Sequence, residues 1–335
     1  MSQHQALARA AAFCETFNIR VPILMAPMAG ACPASLAIAI ANAGGLGGCG
    51  ALLMQPDAIR NWAADVRAGS NGGFQLNLWI PDPPPKRDAV AEEALRRFLN
   101  DWGPEVAPEA GSIAPPDFEA QCEAMLEAGP QIISSIMGLY SDSFVARMKT
   151  RGIKWFATVT TVSEAKFAEA AGADVIIAQG MEAGGHRGAF DATKAEARMV
   201  GLFSLLPAVV DAVKVPVVAA GGIADGRVVG AALLLGASAV QVGTAFLRCP
   251  EARVPTAWAD AIGGRTRRND GHASVFGPRP QYCDCLRAGS NGSNRSATSS
   301  ISRATRTDPG HARRGGEGER HRANPGLGWS IGRHG

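Results

Sequence analysis

Nowhere in this chain do about 18 apolar residues run on without turn formers, so no membrane-spanning helix is expected. The opening MSQHQALARAAAFCETFN has no basic stretch followed by a long apolar core, which argues against a secretory signal and makes a cytoplasmic location the expectation. Aromatic residues are sparse at 6%, with two tyrosines, and charged residues reach only 19% against 46% hydrophobic; these are the proportions of a soluble globular protein. Several catalytic signatures are missing. No G-x-S-x-G, H-E-x-x-H or Walker A pattern occurs, and GGLGGCG at residues 44–50 does not meet the dinucleotide fingerprint. The seven cysteines are odd in number and mostly far apart, which fits reduced thiols better than a disulfide framework. Cys283 and Cys285 stand as C-D-C without a second pair of ligands, so no metal is expected.

What is present is unevenly distributed. From residue 262 to 335 there are thirteen Arg, no Lys, five acids and fourteen Gly, with seven Ile, Leu, Val, Phe or Met among 74 residues. That segment carries a formal +8 of the chain's +3, which leaves residues 1–261 at −5. The chemistry belongs to a mildly acidic body, and the segment is read as a separate, disordered tail, because it cannot bury enough apolar area to offset chain entropy.

In the body, short apolar or β-branched runs alternate with Ala-rich helical segments, the pattern of a parallel sheet built from βα units. Eight runs qualify: residues 21–26 (VPILMA), 45–50 (GLGGCG), 74–79 (FQLNLW), 131–136 (QIISSI), 153–159 (IKWFATV), 174–179 (DVIIAQ), 215–220 (VPVVAA) and 239–243 (AVQVG). Eight parallel strands predict a closed (β/α)8 TIM barrel. Gly44, Gly172 and Gly236 are placed to end helices, and Ser163 and Asp225 to begin them. Residues 81–129, which include PDPPPKRD and AVAEEALRRFLNDWG, are too long for an ordinary connection and read as an insertion, a lid or a small lobe.

Barrel loops after the seventh and eighth strands commonly hold a phosphate, since glycine lets backbone N–H groups approach it. Gly221 and Gly222 in AAGGIADG, and Gly243 and Thr244 in QVGTAF, stand at those two strand ends. Asn77 and Gln179 are amides at strand ends, able to match the carbonyl and N–H edges of a flavin or nicotinamide ring. His186, in AQGMEAGGHRGAF, is one of only two histidines in the body; the other, His4, is near a terminus expected to fray. An imidazole accepts a proton near neutral pH, which makes His186 the candidate base, with Glu182 and Arg187 placed to bias its protonation. Cys32 and Cys49 lack an adjacent histidine and are read as small buried hydrophobes.

Together VPILMAPMAG, FQLNLWIPDP, FATVTTVSEA, AQGMEAGGHRG, VPVVAAGGIADGR and ASAVQVGTAFL resemble the nitronate monooxygenases, formerly called 2-nitropropane dioxygenases, over about residues 21–250. The resemblance implies an FMN-containing barrel that oxidises alkyl nitronates, such as propionate 3-nitronate, with O2 to a carbonyl compound and nitrite or nitrate. It implies that Ala26, Pro27 and Met28 lie along the flavin and that Asn77 and Gln179 contact it. Gly184, Gly221, Gly222, Gln241, Val242, Gly243 and Thr244 would complete the FMN site, and His186 would be the catalytic base. Enoyl-acyl-carrier-protein reductases that use FMN share the EAGGH and AAGGIADG motifs; Gln179 and the opening PILMAPMAG favour the monooxygenases. The expected partners are a small-molecule nitronate and O2, with no membrane, metal or nucleic acid, and either a monomer or a homodimer.

After ADAIGG the chain leaves the family pattern, which normally continues into an apolar helical segment lining the substrate pocket. On charge alone the arginine-rich tail is a nucleic-acid binder. Its lack of Lys, its lack of interleaved aromatics and the abrupt switch point instead to a shifted reading frame. A third reading follows, of a protein that binds FMN but is catalytically impaired because one wall of the pocket is lost.

Overall fold

Along most of the eight apolar runs the side chains alternate between an inner and an outer core, as the two-residue period of a strand requires. In the computed structural model, which describes residues 2–83, 87–112 and 114–264, these runs form β1 (Ile23–Met25), β2 (Gly47–Gly50), β3 (Phe74–Trp79), β4 (Ile132–Ile136), β5 (Lys154–Val159), β6 (Val175–Gln179), β7 (Val217–Ala220) and β8 (Ala239–Val242). All pairings are parallel, in the order β1-β8-β7-β6-β5-β4-β3-β2. The sheet closes on itself through a single parallel bridge, Leu24 to Leu46. There Met25 N donates to Leu46 O at 2.8 Å and Leu46 N to Ile23 O at 3.0 Å. The expected eight-stranded barrel is therefore present. The described residues all fall in one compact unit, and residues 265–335, with the tail reading attached to them, lie outside the described residues.

Among the described residues, ten α-helices accompany the barrel: α1 (Gln3–Thr16), α2 (Ala34–Asn42), α3 (Pro56–Gly69), α4 (Ala89–Asn100), α5 (Phe118–Ala128), α6 (Asp142–Thr150), α7 (Val162–Ala170), α8 (Leu202–Ala212), α9 (Gly226–Leu234) and α10 (Thr256–Gly264). The N-terminus does not fray as expected. Ser2 and Gln5 form a reciprocal capping box, so His4 sits in the first turn of a regular helix. Phe13 of α1 and the following Phe17 enter the N-terminal end of the barrel and meet Phe156 of β5, with the Phe17 and Phe156 rings 5.1 Å apart and edge to face.

Helix boundaries follow local chemistry. Asp225 accepts from Arg227 N and Val228 N at the start of α9, and Gly44, Gly172 and Gly236 take positive φ after α2, α7 and α9. Ser163 is not the cap of α7. Thr161 takes that place, because Glu164 three residues on completes a capping box with it. Within residues 81–129, α4 buries no residue, whereas α5 buries Cys122, Ala124, Met125 and Leu126 in the outer core. Gln121 of α5 also donates to the carbonyls of Ala51, Leu52 and Met54, tying that helix to the loop after β2. The part of this segment that stands apart from the barrel wall thus ends before α5.

Candidate active site

The C-terminal strand ends differ from the N-terminal ones in what points inward. Leu24, Ile132, Phe156, Val175, Ile177, Val218 and Ala239 fill the lower interior. Two residues higher on the same faces stand Asn77, Ser134, Thr158, Gln179 and Gln241, all buried. Asn77 Nδ2 donates to Ser134 Oγ at 3.0 Å. Gln75, not singled out by any motif, donates through Nε2 to Met25 O at 2.7 Å and to Gln241 Oε1 at 3.1 Å. Its Oε1 is buried without a hydrogen-bond partner.

The rim above this amide layer is made where loops approach within side-chain-free distances. A Cβ on Gly184 would lie 3.2 Å from Thr244 Oγ1, and one on Gly243 would lie 3.3 Å from Ala26 Cβ and 3.6 Å from Met28 Sδ. A Cβ on Gly222 would meet Glu182 Cβ at 3.2 Å, and one on Gly221 would meet Ala183 N at 3.0 Å. Gly221 and Gly222 have successive positive φ values of 117° and 66°, a turn that L side chains rarely adopt. The loops after β6, β7, β8 and β1 thus converge, bringing together Ala26, Met28, Gly184, Gly221, Gly222, Gly243 and Thr244. Pro27 lies within the same β1 loop. Val242 differs: its side chain is buried in the outer core, which leaves only its main chain at the rim, where its carbonyl accepts from Ala26 N at 2.8 Å.

Cys32 has a more definite role than filling space. Met28 N donates to its Sγ at 2.8 Å, and Trp62 Nε1 donates to its carbonyl at 2.8 Å, so it fixes the turn that follows β1. Burial pushes the Cys32 thiol up, and the Cys49 thiol further. Cys14, Cys32, Cys49 and Cys122 are free thiols, whereas Cys249 is disulfide-bonded, contrary to the expectation of reduced thiols throughout; Cys283 and Cys285 lie outside the described residues.

The loop after β6 is held by the strand that precedes it. Gln179 Nε2 donates to His186 O at 3.1 Å, and Gln179 Oε1 accepts from Gly188 N at 2.7 Å, so the expected cofactor contact is first of all a staple for the histidine loop. Glu164, buried at the start of α7, accepts from Thr160 N, Thr160 Oγ1 and Thr161 N through one oxygen and from Phe190 N through the other. It anchors the far end of the same loop. His186 is exposed between these fixed points, and its ring lies 4.5 Å from that of Trp79, at the end of β3, tilted by 58°.

Glu182 and Arg187 do not bond His186, contrary to expectation. Glu182 instead accepts from Leu202 N with both oxygens, at the start of α8. Arg187 Nη1 donates to Gln179 O at 3.0 Å, while its Nε and Nη2 are buried without partners. Burial holds the guanidinium below its usual range, against the opposing charges of Glu164 and Glu182. Trp79 and Gln75 were missed by motif reading, although the two-residue period carries from Asn77 to both of them.

An eight-stranded parallel barrel with an exposed imidazole, a buried amide layer and glycine corners at its C-terminal end is an enzyme scaffold with a small-molecule site at that end. A sequence profile described as nitronate monooxygenase matches residues 11–265. A nitronate monooxygenase of Paraburkholderia phytofirmans is 37% identical over 271 residues, covering 78% of this chain and 72% of its own. Among solved structures, a nitroalkane oxidase from Streptomyces ansochromogenes is 34% identical with a TM-score of 0.66, covering 75% of this chain and 72% of its own. FabK from Thermotoga maritima is 31% identical with a TM-score of 0.59, covering 75% and 67%. The chain belongs to the nitronate monooxygenase family of oxidoreductases. Among the described residues, no group of three or more His, Cys, Asp or Glu could hold a metal ion, and no helix is long and apolar enough to cross a membrane.

Proposed function

We propose that the protein oxidises alkyl nitronates with O2, using FMN held at the C-terminal end of the barrel, and that His186 is its proton-transfer group. The carrying observation is the exposed His186, on a loop whose backbone is held by Gln179 and Glu164, beside a corner where Gly184, Gly222 and Gly243 leave no side chain between loops. That corner suits a phosphate, because it offers main-chain N–H groups and the Thr244 hydroxyl without a Cβ in the way. The amides of Asn77 and Gln241 below it suit a ring edge that carries both carbonyl and N–H groups. FMN, when bound, supplies the redox chemistry.

The chain's own residues have a narrower task. A nitronate is already an anion, so it needs orientation more than deprotonation. Trp79 offers it an apolar wall, and His186, when protonated, offers its oxygens a donor. When a neutral nitroalkane is offered, the same imidazole in its neutral form takes the α-proton onto a ring nitrogen. The likeness to FabK supports a second reading, reduction of an enoyl thioester by a nicotinamide. The test uses the purified full chain. Flavin absorbance with nitrite release from propionate 3-nitronate supports the proposal; NADH consumption with an enoyl thioester and no nitrite supports the second reading. Flavin without either activity indicates a binding-competent but impaired enzyme, and protein that cannot be loaded with FMN rejects the cofactor.

A further inference from the structure

Gln75 is fully buried on the inward face of β3, yet it acts two strands away. Its side chain passes over Gly48 of β2, where an added Cβ would lie 2.5 Å from Met25 O and 3.3 Å from Gln75 Cγ. The absent side chain lets Nε2 reach both the Met25 carbonyl of β1 at 2.7 Å and the Gln241 Oε1 of β8 at 3.1 Å. The amide orientation is fixed by chemistry, because exchanging its O and N would press one carbonyl oxygen against another at Met25. Both N–H groups of Gln75 are therefore committed. Gln241 must turn its oxygen toward Gln75, so what it has left to offer the pocket is its NH2.

We propose that Gln75 is a positioning residue that sets Gln241 as a hydrogen-bond donor toward an acceptor oxygen of the cofactor. The proposal rests on the FMN reading above. Its chemical content is a polarity: the β8 amide presents N–H and not C=O, because a second amide beneath it has taken the oxygen. A role confined to clamping the β1 and β2 seam would give no such polarity.

The experiment measures FMN affinity of full-length apoprotein by quenching of FMN fluorescence, with apoprotein melting followed by circular dichroism. The variants are Gln75→Glu, Gln75→Leu, Gln241→Leu and the double Leu variant. Gln75→Glu keeps size, and buried against Met25 O it stays protonated and spends its one O–H there, so it can only accept from Gln241, which must turn its NH2 downward and its oxygen to the cofactor; FMN Kd is expected to rise about tenfold. Gln75→Leu is expected to raise it about threefold, and to add nothing further once Gln241 is Leu. If Gln75→Glu does not fold, Gln75→Met, which fills similar volume without a donor, takes its place with the threefold expectation. Unchanged Kd in the Gln75 variants, or losses that simply add in the double variant, overturns the inference while leaving the cofactor reading intact. A wild-type chain that does not bind FMN overturns both.

Discussion

The two ends of this barrel use the same eight strands for opposite purposes. At the N-terminal end, Phe13, Phe17 and Phe156 meet ring against ring in one cluster with Leu24, Ile132 and Val218. Toward the C-terminal end the inward positions change to Asn77, Ser134, Gln179 and Gln241, joined by Gln75 of β3; their side chains bond one another or backbone, and Gln75 Oε1 is left without a partner. Stability is concentrated where aromatic area can be buried without a partner to satisfy. Chemistry is placed where each buried amide needs a partner, which makes that layer selective about what it accepts.

That contrast is sharpest when each end is damaged separately. Replacing His186 by Asn should lower kcat/KM for a neutral nitroalkane by about a hundred- to ten-thousandfold and affect a preformed nitronate much less, with little change in melting because the side chain is exposed. Equal losses on both substrates would show that the imidazole does not act as a base. Phe156→Ala should do the reverse, costing about 3–5 kcal/mol in urea unfolding while the folded fraction still binds FMN. Glu164→Ala lies between, since it strips acceptors from Phe190 N and from Thr160 and Thr161 at once. A loss of about 2–3 kcal/mol is expected, with a fall in kcat as the His186 loop loosens, and an unaltered kcat would detach that anchor from function. Asp225→Ala, at the cap of α9, should cost only about 1 kcal/mol by thermal unfolding and leave the site's affinity for FMN as it was.

Much of this was legible before any coordinates. The eight apolar runs became eight strands, and the glycine corners at Gly221–Gly222 and Gly243 fell at adjacent loops, because strand period and glycine's lack of a Cβ are local properties. His186 stood out by scarcity. What stayed hidden depends on reach across the fold: that Gln179 would spend its amide on its own loop, that Glu182 would serve α8, and that Val242 would face outward. The cap at Thr161 was legible in principle, through Glu164 three residues later, and was passed over in favour of the nearer Ser163. Gln75 was hidden differently. Its partner is reachable only because Gly48 has no side chain, a fact about two strands that neither stretch carries alone.

The single bridge between Leu24 and Leu46 gives the closed sheet one weakly laced edge, and β2 beside it, GGCG, has almost no side chains to stiffen it. Amide hydrogen exchange within the sheet is expected to be fastest at this joint. Because Met25, Gly48 and Gln75 sit at that joint and just beneath the rim, a ligand seated on the amide layer would act as a hoop. If FMN seats there as proposed, the affinity for it and the rate at which the barrel opens become two measures of one event.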